Sequence, residues 1–135
     1  MTLTLRILSP DRSVYDGTAD EVILPSTTGQ LGILTGHVAM LTALDSGVLR
    51  VREGNAWQSI ALMGGFAEVD ANEVTVLVNA AELGSSIDGA AAEREYEAAV
   101  QAASGFDGQP TSPEKVKAQQ QLGRARARLQ ASRGA

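Results

Sequence analysis

The apolar residues of this chain change their period once, at Gly84, and that switch limits what the chain can fold into. Ahead of it, Leu3, Leu5 and Ile7 alternate with Thr2, Thr4 and Arg6, the period of a half-buried strand. Further short runs follow at 21–24, 48–52, 57–62, 65–69 and 74–78, separated by turn material at Ser9-Pro10-Asp11, Pro25 to Gly29, Glu53-Gly54-Asn55 and Asp70-Ala71-Asn72. Strands so closely spaced leave no room for crossover helices, and the spacing predicts an antiparallel sandwich or barrel. Beyond Gly84, Ala92, Tyr96, Ala99, Val100 and Ala103 recur on one face of a helix, with Asp88 placed to cap its start. Residues 104–111 read as a loop. Ser112, Pro113 and Glu114 then supply a cap, a first-turn proline and a first-turn acid, and Ala118, Leu122, Ala125 and Leu129 continue the seam. The expected fold is α+β: an N-terminal antiparallel β-sandwich over residues 1–84, then a C-terminal α-helical hairpin over 85–135.

The two helical seams are mostly alanine, with Tyr96, Val100, Val116, Leu122 and Leu129 as their bulky members. Each of these offers about 1.5–3 kcal/mol if fully buried, whereas ordering each backbone residue costs about 1–2 kcal/mol before hydrogen bonds compensate. Gly123, inside the second helix, costs roughly 1 kcal/mol more relative to alanine. Such a hairpin is marginal alone and is able to exchange partners.

Composition removes whole classes of chemistry. The 135 residues include no cysteine, which excludes disulfide scaffolds, thiolate metal sites and cysteine nucleophiles. His37 is the only histidine, so a multi-histidine metal centre cannot be built. Ser26 and Asp45 flank it in sequence, but no G-x-S-x-G nucleophile elbow exists, and His37 is read as a structural or partner-contacting loop residue. Gly29, Gly32 and Gly36 look like a phosphate loop but lack the Gly-Lys-Ser/Thr and the following helix, so they are read as turn glycines with positive φ. Gly64-Gly65 suggests a bulge or a close approach between sheets. No metal or cofactor site is expected. No apolar window reaches the roughly 18–20 residues of a membrane span, and residues 1–10 lack a secretory signal, so the chain is expected to be soluble and to remain where it is made.

Charge is unevenly placed within the net charge of -5. Residues 1–84 carry Arg6, Arg12, Arg50 and Arg52 against ten acids, which argues against nucleic acid as a partner. From Lys115 onward there are six cations (Lys115, Lys117, Arg124, Arg126, Arg128, Arg133) and no acid. They form either a solvated helix face or a docking surface for an acidic partner.

The segment Leu24-Pro25-Ser26-Thr27-Thr28-Gly29-Gln30-Leu31-Gly32-Ile33-Leu34-Thr35-Gly36-His37 closely resembles the epsilon-subunit family of F-type ATP synthases. The resemblance continues through Leu41-Thr42-Ala43-Leu44, Gly47-Val48-Leu49-Arg50, Gly64-Gly65-Phe66-Ala67-Glu68-Val69 and Val76-Leu77-Val78 to Ala81-Glu82, and it spans the chain. It implies a non-catalytic central-stalk rotor subunit that couples proton transport to ATP synthesis. The implied partners are the gamma subunit, the c-ring and, when the hairpin extends to restrain ATP hydrolysis, the alpha/beta catalytic head. It implies a peripheral place on the energy-transducing membrane, on the cytoplasmic or stromal side, with membrane association only through the complex.

The resemblance also assigns residues. It places Gln30, Leu31 and His37 against the ring, with Leu31 expected as an exposed apolar contact, and it makes Arg124, Arg126 and Arg128 candidates for the inhibitory contact. Some relatives bind ATP between the helices through an Asp-x-x-Arg-Ala-like motif. Here Asp88 is kept while Ala91 and Ala98 stand where arginines belong, leaving Glu82, Asp88, Arg124 and Arg128 as the candidate set. Losing two guanidinium groups implies weak ATP binding, poorer than about 1 mM. The reading from a different class is a β-sandwich ligand-binding or adaptor module with no rotor role, which predicts an aromatic-lined pocket in a chain with only 4 % aromatic residues.

Overall fold

The structure is a computed structural model that describes residues 2–134; Met1 and Ala135, the latter the last residue of the expected hairpin segment, lie outside it. Eight strands come first: β1 (Leu3–Ser9), β2 (Arg12–Ala19), β3 (Glu21–Ser26), β4 (Gly29–Ile33), β5 (Met40–Glu53), β6 (Ala56–Asp70), β7 (Glu73–Val78) and β8 (Ala81–Leu83). A 3-10 turn, Gly84–Ser86, leads to two helices, α1 (Gly89–Ser104) and α2 (Pro113–Ser132). The strand order is β2-β1-β7-β6-β5-β3-β4, with β8 pairing the start of β6. All pairs are antiparallel except β1 with β7, which run parallel because the chain leaves β1 and returns beside it only after the five intervening strands.

The sandwich forms because β5 and β6 are long enough, at 14 and 15 residues, to serve both layers. Their pairing is interrupted opposite Asp45 and Gly64, and there the ribbon folds over. Gly64 and Gly65 take φ of +73° and +148°, which side chains rarely adopt. A Cβ on Gly65 would stand 2.0 Å from the Leu77 carbonyl oxygen, so the expected close approach at this pair is real. The bend also shifts parity. Before it, Ile60 and Leu62 face the core; after it, Ala67 and Val69 do. Leu3, Leu5 and Ile7 of β1 and Val74 and Val76 of β7 meet Val22, Leu24, Ile33, Leu49 and Val51 from the other layer.

Ala61 and Met63, which point away from that core, are buried as well, beneath α2. The run Ile60-Ala61-Leu62-Met63 is therefore apolar at every position because both of its faces are covered. The helices start as expected: Asp88 accepts from the Ala90 and Ala91 amides, Ser112 accepts from the Lys115 amide, and Pro113 opens α2. Helix α2 lies across β5 and β6, and α1 packs along α2. Gly84 permits the approach, since a Cβ there would stand 2.2 Å from the Ala131 carbonyl oxygen.

Three expectations are corrected. Gly32 lies within β4 without a positive φ, unlike Gly29 and Gly36, because its segment pairs with β3 instead of turning. Val100 and Val116 are exposed, because the helices meet along a narrow alanine seam and neither valine reaches it. Leu31 is partly buried and packs against the sandwich core from β4.

Candidate functional site

Three surfaces have the chemistry to act. The first is a groove of about 660 Å³ between the helices and the sheet, walled by Met63, Ala80, Ala98, Ala99, Ala102 and Ala125 and carrying Glu82, Glu95, Arg124 and Arg128. Arg128 dominates it. Its Nε–H donates to Glu82 Oε1 at 2.9 Å and its Nη2–H to Glu82 Oε2 at 3.3 Å, a two-pronged pairing, while its Nη1–H donates to Glu95 Oε2. The hydrogen bond to Glu82 holds the guanidinium further toward its charged form; partial burial opposes this, and the negative charges of Glu82 and Glu95 reinforce it.

Of the four residues considered for nucleotide, Glu82, Arg124 and Arg128 meet in this groove. Asp88 does not, because its carboxylate is occupied by the amides that begin α1. Arg124 reaches the groove rim and Arg126 faces solvent. Neither has a carboxylate within ion-pairing distance among the described residues.

The second surface is the end of the sandwich formed by residues 34–41. Leu34, Val38 and Leu41 are 53 %, 75 % and 71 % exposed, and the segment is fastened by the Gly36 amide donating to Asn72 Oδ1 at 2.7 Å. His37 sits between them with its Nδ1 2.7 Å from the Val38 carbonyl. Gln30 is exposed at the opposite end of β4, beside the Thr27-Thr28 turn, so strand β4 separates it from His37. Ser26 Oγ is spent on that turn, donating to the Gly29 carbonyl at 2.7 Å and accepting from the Thr28 amide, which leaves no serine–histidine pair.

The third surface is a row of apolar side chains on the outer face of the sandwich. Leu8 of β1 lies beside Leu77 of β7, which lies beside Phe66 of β6, which lies beside Ala43 of β5. Phe66 is 53 % exposed and Leu77 is likewise open to solvent. A shallow cleft of about 540 Å³ runs along the row between Pro10 and Asn79. Periodicity did not single out these residues, nor Leu34, Val38 and Leu41. The available signal was a large apolar side chain at a position whose parity points away from the core, as Phe66 does between Gly65 and Ala67.

The comparisons with known proteins cover this chain end to end. Residues 2–84 match the beta-sandwich domain of the ATP synthase delta/epsilon chain, and residues 85–133 match its long alpha-helix domain. The chain belongs to the ATP synthase delta/epsilon family. Among its relatives, the ATP synthase epsilon chain of Synechococcus sp. (strain CC9902) is 72 % identical over 135 residues, covering 100 % of this chain and 99 % of that one. The ATP synthase epsilon chain of Prochlorococcus marinus (strain MIT 9313) is 65 % identical over 133 residues, covering 98 % of this chain and 100 % of its own. A chain in the Euglena gracilis mitochondrial ATP synthase (OSCP/F1/c-ring) shares the fold with a TM-score of 0.79 at 21 % identity, over 97 % of this chain and 81 % of that one. One in the Tetrahymena thermophila enzyme (central stalk/c-ring) does so with a TM-score of 0.60 at 19 % identity, over 98 % of this chain and 97 % of that one. The sandwich and the helical hairpin expected of the delta/epsilon family are both present, and no helix among the described residues is long and apolar enough to cross a membrane.

Proposed function

We propose that this delta/epsilon-family chain is a non-catalytic rotor subunit of the central stalk, transmitting torque between a proton-driven ring and the catalytic head and restraining ATP hydrolysis through its C-terminal hairpin. The observation that carries the reading is the uncovered apolar row Leu8–Leu77–Phe66–Ala43 on a sandwich whose opposite layer is already covered by α2. A gamma-type stalk subunit is the proposed occupant of that row, since a rotor part must be held rigidly along one face. The ring is proposed to meet Gln30 and the segment around His37, with Leu34 and Val38 taking the apolar part expected of Leu31. Arg124 and Arg126, unpaired among the described residues, are proposed to meet acidic surfaces of the alpha/beta head when the hairpin extends, with Arg128 joining them once it leaves the groove. ATP is proposed to bind weakly, because Arg128 is already paired and Asp88 already caps a helix. The place is peripheral, on the cytoplasmic or stromal side, with contact to the membrane only through the complex.

The test is reconstitution. Added to an ATP synthase stripped of its epsilon-type subunit, the chain is expected to restore proton-driven ATP synthesis and to lower ATP hydrolysis. Failure to bind the stripped enzyme would favour an adaptor role instead.

A further inference from the structure

Arg128 stands where three separately folded elements meet: it belongs to α2, Glu82 to β8 and Glu95 to α1. Its side chain is 25 % exposed, against 38 % for Glu82 and 53 % for Glu95, so the pairing with Glu82 is the more sheltered arm. Apart from Met63 the groove walls around it are alanines, which offer little dispersion or apolar area to hold two helices on a sheet. Charge, with its demand for matched geometry, supplies what shape does not.

We propose that Glu82, Arg128 and Glu95 form a charge clasp that keeps the hairpin docked on the sandwich, with Arg128 as its positioning residue. This rests on the reading of the hairpin as a two-state element. The three arginines that sequence groups together then divide by role. Arg124 and Arg126 are available to a partner in either state, whereas Arg128 reaches one only after the clasp opens. Opening also leaves Glu82 and Glu95 without their common cation, so removing Arg128 sets two carboxylates facing one groove. Its loss therefore loosens the docked state more than loss of either acid, and Glu82 matters more than Glu95.

The chain contains no cysteine, which makes a clean reporter possible. A Cβ on Gly123 would lie 3.8 Å from the Cβ of Ser46, within the roughly 3.5–4.5 Å that a disulfide spans. The pair Ser46→Cys with Gly123→Cys should therefore close under mild oxidant when α2 is docked on β5. Adding Arg128→Gln to this full-length chain is expected to slow closure about fivefold, the scale of one partly buried charge-assisted pairing. Glu82→Gln should slow it less, Glu95→Gln less again, and Arg128→Lys should recover part of the rate. Raising salt from about 0.05 M to about 0.5 M should slow the parent and leave Arg128→Gln unchanged. Circular dichroism of the strands confirms that each variant keeps its sandwich, and Glu82→Gln carries the test if Arg128→Gln does not fold. Equal closure rates across the set, or equal salt response with and without Arg128, would overturn the clasp. Because the isolated chain is used, this outcome concerns docking alone, while hydrolysis by the assembled enzyme judges the restraint.

Discussion

In the sandwich, Leu3, Leu5, Ile7, Leu24, Leu49, Ile60 and Leu62 are completely shut from solvent; in the helices the buried positions are Ala92, Ala118, Ala125, Ala127 and Ala131, with Leu129 the one large member. The difference is one of attachment. Interdigitated branched side chains lose many contacts at once when a layer is removed, so the sandwich opens only by unfolding. Alanine against alanine leaves smooth surfaces that separate with small loss, and the bulkier part of the helix docking falls to Leu129 and Tyr96 in the cluster with Met63 and Val48, to the Gly84–Ala131 approach and to one guanidinium. The proposed rotor role calls for both: a body that does not deform and a limb able to detach.

Substitutions in the sandwich interior should break that contrast most severely. Leu62→Ala is expected to cost about 2–5 kcal/mol and to lower the melting temperature of the whole chain by circular dichroism. Gly65→Ala belongs with it, because the new Cβ meets the Leu77 carbonyl at a backbone angle that L residues avoid. Leu129→Ala should instead leave the strand signal melting unchanged while the helical signal melts earlier. If Leu62→Ala and Leu129→Ala lowered a single shared transition equally, the two regions would be one cooperative unit.

A chain ending after Ile87 should keep its strands and still bind a gamma-type subunit, since β1 to β8 close their own core. Loss of the strand signal would merge body and limb. Smaller in its effect on folding, Phe66→Ser with Leu77→Ser should shift stability by less than about 1 kcal/mol while weakening capture of a gamma-type subunit by at least ~2 kcal/mol. Unweakened capture would remove the row from the proposed interface. Asp88→Ala should cost about 1 kcal/mol, visible as faster hydrogen exchange at the start of α1 and nowhere in the sandwich. Smallest of all, Arg124→Ala with Arg126→Ala should leave stability within about 0.5 kcal/mol yet raise ATP hydrolysis by the reconstituted enzyme, an effect that fades with salt.

Much of the fold was legible where one face is wet and the other dry, because alternation then survives in the sequence: β1, β3 and β7 read directly as strands. Strand β2 escaped notice because Arg12, Ser13, Asp16 and Gly17 make it polar, as suits a strand at the sheet's margin with one neighbour. Strand β4 reads as a glycine loop in the sequence, since Gly29 and Gly32 are turn-like by composition and only pairing with Ser26 and Ile23 extends them. The first half of β5 hides its alternation because apolar Leu41 and Ala43 stand on the exposed side while Thr42 takes the sheltered one. The site fared worse for a physical reason. Arg128 and Glu82 are 46 residues apart and Arg128 and Glu95 33, so nothing local marks them as partners. Arg124 and Arg128, one helical turn apart, do share one groove, yet nothing in their spacing says that one of them is already engaged.

The doubly covered run Ile60-Ala61-Leu62-Met63 bears on the behaviour of the chain outside any complex. Ala61 and Met63 are buried, and Val48 partly so, beneath α2, so an excursion of the hairpin would bare a greasy strip on the side of the sandwich opposite the Phe66 row. A sandwich with both sides bare has two adhesive faces and the geometry of a stacking unit. The hairpin therefore doubles as the chain's own solubiliser, and a version lacking it should stay folded but self-associate as its concentration rises.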